Sequence, residues 1–201
     1  MKRRSSSRGY TIIEVLATMT LFAIGAAGVI SMQQVTIKGG DDARRFDVAT
    51  NVAREWTSRL QRDAMTWTLP DADNPAAENF STTTWLGAVS SPDVWTRPAI
   101  PTTAGNADSP AFDLLGRDLL AGSGDHMFCV QYRLAWISQP PGGGAWPLGI
   151  FMRAEIRVIW NRLETPISGD CGSLPLSYTA ADEAKYHFVY VTTALRSNPA
   201  K

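Results

Sequence analysis

The stretch GYTIIEVLATMTLFAIGAAGVISMQQVTIKGG, residues 9–40, decides how the rest of the chain is read. From Val15 to Ile37 it runs for 23 residues without a formal charge. At about 1.5 Å per residue a helix of that length reaches roughly 35 Å, enough to cross the ~30 Å hydrocarbon core of a bilayer. Ahead of it, residues 1–9 (MKRRSSSRG) carry Lys2, Arg3, Arg4 and Arg8 and no acid. A basic head followed by an apolar run predicts a membrane-targeting segment whose positive flank stays cytoplasmic. The run exceeds the apolar part of an ordinary signal peptide, about 7–15 residues, and no clean A-x-A cleavage site follows it. Length alone would equally fit a plain single-span anchor.

Glu14 is the residue that a plain anchor does not explain. It follows Tyr10, Thr11, Ile12 and Ile13 and precedes Val15 and Leu16, so apolar residues flank it on both sides. An ionised carboxylate costs roughly 2.5–3.5 kcal/mol at the middle of a membrane helix and less near its end, and such a charge implies a partner. A local answer is available, because Thr11-Ile12-Ile13-Glu14 fits the S/T-x-x-E capping box. The two roles are compatible.

Gly9-Tyr10-Thr11-Ile12-Ile13-Glu14-Val15-Leu16, behind its basic leader, closely resembles the type IV prepilin signature: Gly, an aromatic (usually Phe), Thr, two aliphatics, Glu, Val, Leu. Tyr10 replaces Phe and keeps the aromatic. The close resemblance covers about residues 1–40. It implies that a prepilin peptidase cuts between Gly9 and Tyr10 and N-methylates Tyr10. Glu14 would then be the fifth residue of a 192-residue mature chain, pairing with the N-terminal amine of a neighbouring subunit and setting the stagger between helices. The domains expected are a cleaved leader at 1–9, a membrane and filament-core helix at 10–40, an amphipathic spine helix at 41–69 and a globular head at 70–201.

The implied partners are other pilin subunits, the prepilin peptidase, the inner-membrane assembly platform and the membrane itself. The implied location is the bacterial inner membrane, single-pass with a periplasmic head, and then the cell-surface filament. A minor pilin acting in initiation or near the tip is the first reading. A type II secretion pseudopilin shares residues 1–40, a major pilin comes third, and a single-span anchored enzyme or binding protein is the rival from another class. Ala23, Gly25, Ala26, Ala27 and Gly28 allow close helix approach. Gly costs about 1 kcal/mol against Ala inside a helix, so Gly39-Gly40 is expected to bend or melt it.

Composition agrees with this layout. The chain of 201 residues balances 19 Lys+Arg against 19 Asp+Glu. Without the leader, 15 Lys+Arg face 19 Asp+Glu, a net of −4. A nucleic-acid binder needs a concentrated basic footprint, so none is expected as partner. Phe46, Ala49, Val52, Ala53, Trp56, Leu60 and Ala64 recur at three- and four-residue steps and predict an amphipathic helix from about Asp41 to Met65. Arg44, Arg45, Asp47, Arg54, Glu55, Arg59, Arg62 and Asp63 are assigned to its other faces.

Residues 70–126 read as irregular and Pro-rich, with Trp67, Trp85 and Trp95 expected to pack. Short elements are expected at Leu86–Val89 (strand) and Phe112–Leu120 (helix). Period-two alternation predicts half-buried strands at 128–136 and 152–160, a long loop at Pro140–Gly144 between them, and a third strand at His187–Leu195. A long helix followed by an antiparallel sheet gives an α+β, pilin-like fold class.

Chemistry is sparse. There is no G-x-S-x-G, H-E-x-x-H, C-x-x-C or phosphate-binding loop, so no catalytic residue, cofactor or enzyme activity is expected. Ser123, Asp125 and His126 are close only in sequence. Cys129 and Cys171 are the two cysteines. Their placement resembles the disulfide that pilin heads often carry near the C-terminus. Two free thiols remain an alternative, as does a metal site with His126 and His187, although that spacing matches no familiar finger pattern. Asp170, Asp182 and Glu183 are candidate calcium ligands, and Asn79-Phe80-Ser81 meets the glycosylation sequon.

Overall fold

A computed structural model describes residues 10–67, 83–87, 93–103, 108–137, 151–163 and 165–196. The leader, the sequon at Asn79 and the Pro140–Gly144 loop lie outside the described residues. The elements run α1 (Ile12–Ala64), β1 (Ala111–Phe112), β2 (Phe128–Trp136), β3 (Phe151–Asn161), α2 (Ala180–Glu183) and β4 (Tyr186–Arg196). The chain divides into two compact units, Met1–Arg44 and Arg45–Lys201.

In the first unit α1 is apolar on every side. Ile12, Leu16, Met19, Phe22, Ile24 and Ile30 are all exposed, and the stretch that is long and apolar enough to cross a membrane buries nothing within the chain. A helix that is apolar all round needs a non-aqueous surround. Its threonine hydroxyls are satisfied: Thr18 donates to the Val15 carbonyl (2.9 Å), Thr20 to that of Leu16 (2.7 Å) and Thr36 to that of Met32 (2.9 Å). The expected melting at Gly39-Gly40 does not occur, and α1 is continuous through it. A Cβ at Gly25, Gly28, Gly39 or Gly40 would meet nothing within 4 Å, so no packing contact draws the backbone out of its hydrogen-bond ladder there.

In the second unit the end of α1 buries Ala49, Val52, Ala53, Trp56, Leu60 and Ala64 at helical spacing. Phe46, expected on that stripe, is 53% exposed, because the core begins one turn later, at Val48 and Ala49. The sheet is antiparallel in the order β1-β2-β3-β4. Val130 lies opposite Val158, which lies opposite Val189, so one face of three strands shares the core with α1. Trp56 joins the layers, 6.1 Å from the Tyr132 ring and 5.0 Å from Trp85. The Tyr132 hydroxyl donates to the Trp85 carbonyl (2.6 Å), and burial, then the nearby Asp63 charge, pushes this phenol well above its usual range. Asp63 accepts the backbone amides of Thr84, Trp85 and Leu86 at 2.7–2.9 Å, which fastens that segment to the end of α1. Trp67 is fully buried and Trp85 and Trp95 half-buried, as expected of packing residues.

Two short elements differ from expectation. No helix forms at Phe112–Leu120: Phe112 ends β1, and the chain turns sharply at Asp113. The Asp113 carboxylate accepts the amides of Leu115 (2.8 Å) and Arg117 (2.9 Å), and Gly116 takes a φ of +76°. Burial opposes ionisation of Asp113, but its bonds to Arg117 and Leu115 together outweigh this and hold the carboxyl below its usual range. Leu86 and Gly87 are not strand, since their segment is held by Asp63 instead, and residues 88 and 89 lie outside the described residues.

The second sheet face is also covered, so β2 is buried on both sides rather than half-buried. Cys129 on β2 is bonded to Cys171, with a Cα–Cα distance of 5.4 Å. This packs Ile167, Cys171 and Leu174 against Ala111 and Ile159. The 42-residue separation is expected to make the bridge worth about 3–4 kcal/mol through loop closure. Replacing both cysteines by serine should therefore lower the thermal midpoint of the full chain by roughly 6–16 °C. A melting curve unchanged in Tm would refute this contribution.

Candidate functional site

The N-terminal site is built on the first turn of α1. Thr11 precedes the helix, and the amides of Glu14 (3.1 Å) and Val15 (3.3 Å) both donate to its carbonyl. The expected capping box is not formed: among the described residues neither the Thr11 hydroxyl nor the Glu14 carboxylate makes a hydrogen bond, and the Glu14 amide donates to the Thr11 carbonyl alone. Among the described residues the Glu14 carboxylate has no hydrogen-bond or ion-pair partner. Tyr10 is 84% exposed. The carboxylate thus stands on an apolar helix with nothing among the described residues to neutralise it. Gly9 lies outside the described residues.

The other candidate chemistry dissolves on inspection of its geometry. The metal reading fails because Cys129 and Cys171 are bonded to each other and His187 stacks on Trp160 at 5.2 Å. His126 is buried, and neither ring nitrogen has a hydrogen-bond partner among the described residues. Ser123 donates to the Leu120 carbonyl (2.5 Å) and not to His126. Asp170 caps a 3-10 turn at Cys171–Ser173, and Asp182 closes a capping box with Thr179 at the start of α2. Bonds from Thr179 hold the Asp182 carboxyl below its usual range. Among the described residues no group of three or more His, Cys, Asp or Glu is arranged to hold a metal ion.

Two buried arginines were not singled out by the sequence. Arg59, assigned to a face other than the apolar stripe, is 3% exposed. Its guanidinium meets Glu55 (2.5 Å), Asp118 (2.9 Å) and Asp108 (3.2 Å) and donates to the Ser109 carbonyl (3.0 Å). Arg157 on β3 is buried between the rings of Trp95 (4.0 Å) and Tyr178 (4.6 Å). It donates to Gln131 (Nε, 2.8 Å) and to the Leu176 carbonyl (2.6 Å), and burial lowers its pKa. Burial also pushes the Tyr178 phenol up to about 12. The signal available was helical spacing: Arg59 lies three residues after Trp56, on the apolar stripe.

The comparisons with known proteins concern the N-terminal site. No curated protein and no solved structure matches the chain. A protein-family model described as the prokaryotic N-terminal methylation motif matches residues 4–30. That signature implies processing by a prepilin peptidase and assembly with other pilins, and it points to a structural subunit rather than an enzyme. With the apolar helix it fits anchoring in an inner membrane before assembly. The residues around Gly9, Tyr10 and Glu14 are therefore a type IV prepilin signature, carried on a long helix that leads into an α+β, pilin-like head.

Proposed function

We propose that this chain is a minor pilin of a type IV pilus, held in the inner membrane until its leader is removed and then drawn into a filament by its N-terminal helix. The observation that carries the reading is Glu14, a carboxylate on an apolar helix without a partner among the described residues. The amine freed at Tyr10 of a neighbouring subunit supplies the opposite charge. Apolar burial of helix against helix, at about 25 cal/mol per Å², drives association, and the charge pair selects one stagger.

Cleavage falls between Gly9 and Tyr10, methylation falls on Tyr10, and the assembly platform extracts the helix from the membrane. The Pro-rich segments and three packed Trp residues support a specialised head, acting in initiation or near the tip, over a mass-produced repeat. The disulfide supports a head placed outside the reducing cytoplasm. Intact-mass analysis of the protein from its own cells tests the reading: the mature chain is expected to begin at N-methylated Tyr10. A chain still beginning at Met1 would overturn it in favour of a plain membrane anchor.

A further inference from the structure

The outward face of β2, β3 and β4 carries a charge opposite to that of its unit. Residues 45–201 hold 13 Lys+Arg and 16 Asp+Glu, a net of −3. The outward strand positions hold Arg133, Arg153, Arg157 and Arg196 against Glu155, a net of +3. Arg133 (2.6 Å) and Arg153 (3.0 Å) share the Glu155 carboxylate, and the nitrogen partners of Arg157 are neutral groups. Arg196 enters no ion pair among the described residues and lies 5.9 Å from the Phe151 ring centre.

Trp95 stiffens this platform. It sits under both Arg133 (5.1 Å) and Arg157 (4.0 Å), and its segment pairs with β2 through Thr96 and Tyr132. Arg153 and Arg196 are exposed at one end of the face on neighbouring strands, Arg153 opposite Ala194 and Arg196 opposite Phe151. Arginine forks of this kind recognise carboxylates bidentately.

We infer that this face binds an acidic polysaccharide outside the cytoplasm, whose uronate carboxylates pair with Arg153 and Arg196. The inference rests on the reading that the head is exported. A single-stranded nucleic acid fits less well, because its bases stack on successive free aromatic faces, and Tyr190, 59% exposed, already has Phe188 stacked on it at 6.1 Å. Guanidinium groups already lie over Trp95, Tyr178 and Phe151.

The test uses the full chain in detergent micelles and immobilised polygalacturonate, with neutral dextran as the blank. Binding is expected to weaken with salt and to fall about tenfold in an Arg153→Ala, Arg196→Ala variant. An Arg54→Ala, Arg62→Ala variant on the exposed face of α1 is expected to bind as the parent does. Should the double variant fail to fold, Arg196→Ala alone reads the same effect. No retention, equal loss in the α1 control, or tighter binding of polydeoxythymidylate than of polygalacturonate would each overturn the inference. The assay needs neither cleavage nor a filament. A chain processed at Tyr10 that fails here removes only the surface proposal; one that binds but still begins at Met1 removes only the pilin reading.

Discussion

Glu14→Ala is expected to abolish incorporation into a filament while the head melts at an unchanged temperature. The second half of that expectation follows from the structure: Glu14 has no partner among the described residues, and the head core is assembled from Val48 onward. The first half follows from electrostatics. Two opposite charges about 4 Å apart attract by roughly 4 kcal/mol at an effective dielectric of 20, and by more where water is scarce. Misplacing one helix by a turn forfeits that attraction and leaves a carboxylate alone in apolar surroundings, at a further cost of roughly 2.5–3.5 kcal/mol at mid-helix. Alanine removes the penalty and the preference together, so helices still associate but no stagger is selected. Glu14→Gln, which keeps the shape and loses the charge, should fail as alanine does. Gly9→Leu should fail one step earlier, with the leader retained and no free amine at Tyr10. Filament incorporation of Glu14→Ala at the parental level would refute the register role, whatever the mass analysis shows.

What the sequence made legible, and what it concealed, divides along physical lines. The N-terminal segment was readable because a membrane helix tolerates so few residue types that one acid stands out. The three long strands were readable because side chains alternate with period two, whatever covers them. The boundary of the helix stripe was not, since Phe46 continues the spacing but lies one turn before the core. The turn after Phe112 was misread as helix because Leu114, Leu115, Leu119 and Leu120 imitate helical spacing. Asp113 and the positive-φ Gly116 were the opposing signal. Arg157 was hidden because its partners, Trp95, Gln131 and Tyr178, arrive from distant segments. Burial of β2 on both faces depends on the disulfide-closed segment folding back, which strand alternation does not encode.

Arg59→Met is expected to destabilise the full chain by about 3–5 kcal/mol near neutral pH, the usual cost of removing one partner from a buried charge cluster. That corresponds to a fall of roughly 6–20 °C in Tm for a head of this size. Methionine keeps the apolar stem, so the cavity contribution is small and the loss is chiefly electrostatic. Three carboxylates and the Ser109 carbonyl are left facing one another without their donor.

The dependence on pH separates this from a packing defect. Burial pushes Asp118 above its usual range even with Arg59 opposing it. A raised acid favours folding below its unfolded pKa and loses that contribution as pH rises through the folded value. Without Arg59, burial acts unopposed and Asp118 rises further, so its protonation in the folded state relieves more of the strain. The gap between Arg59→Met and the parent should therefore narrow as pH falls from 7 towards 4, and Asp118→Asn should rescue part of it at pH 7. A gap below about 1 kcal/mol, or one that does not change over that pH range, would show that Arg59 contributes packing and not charge balance.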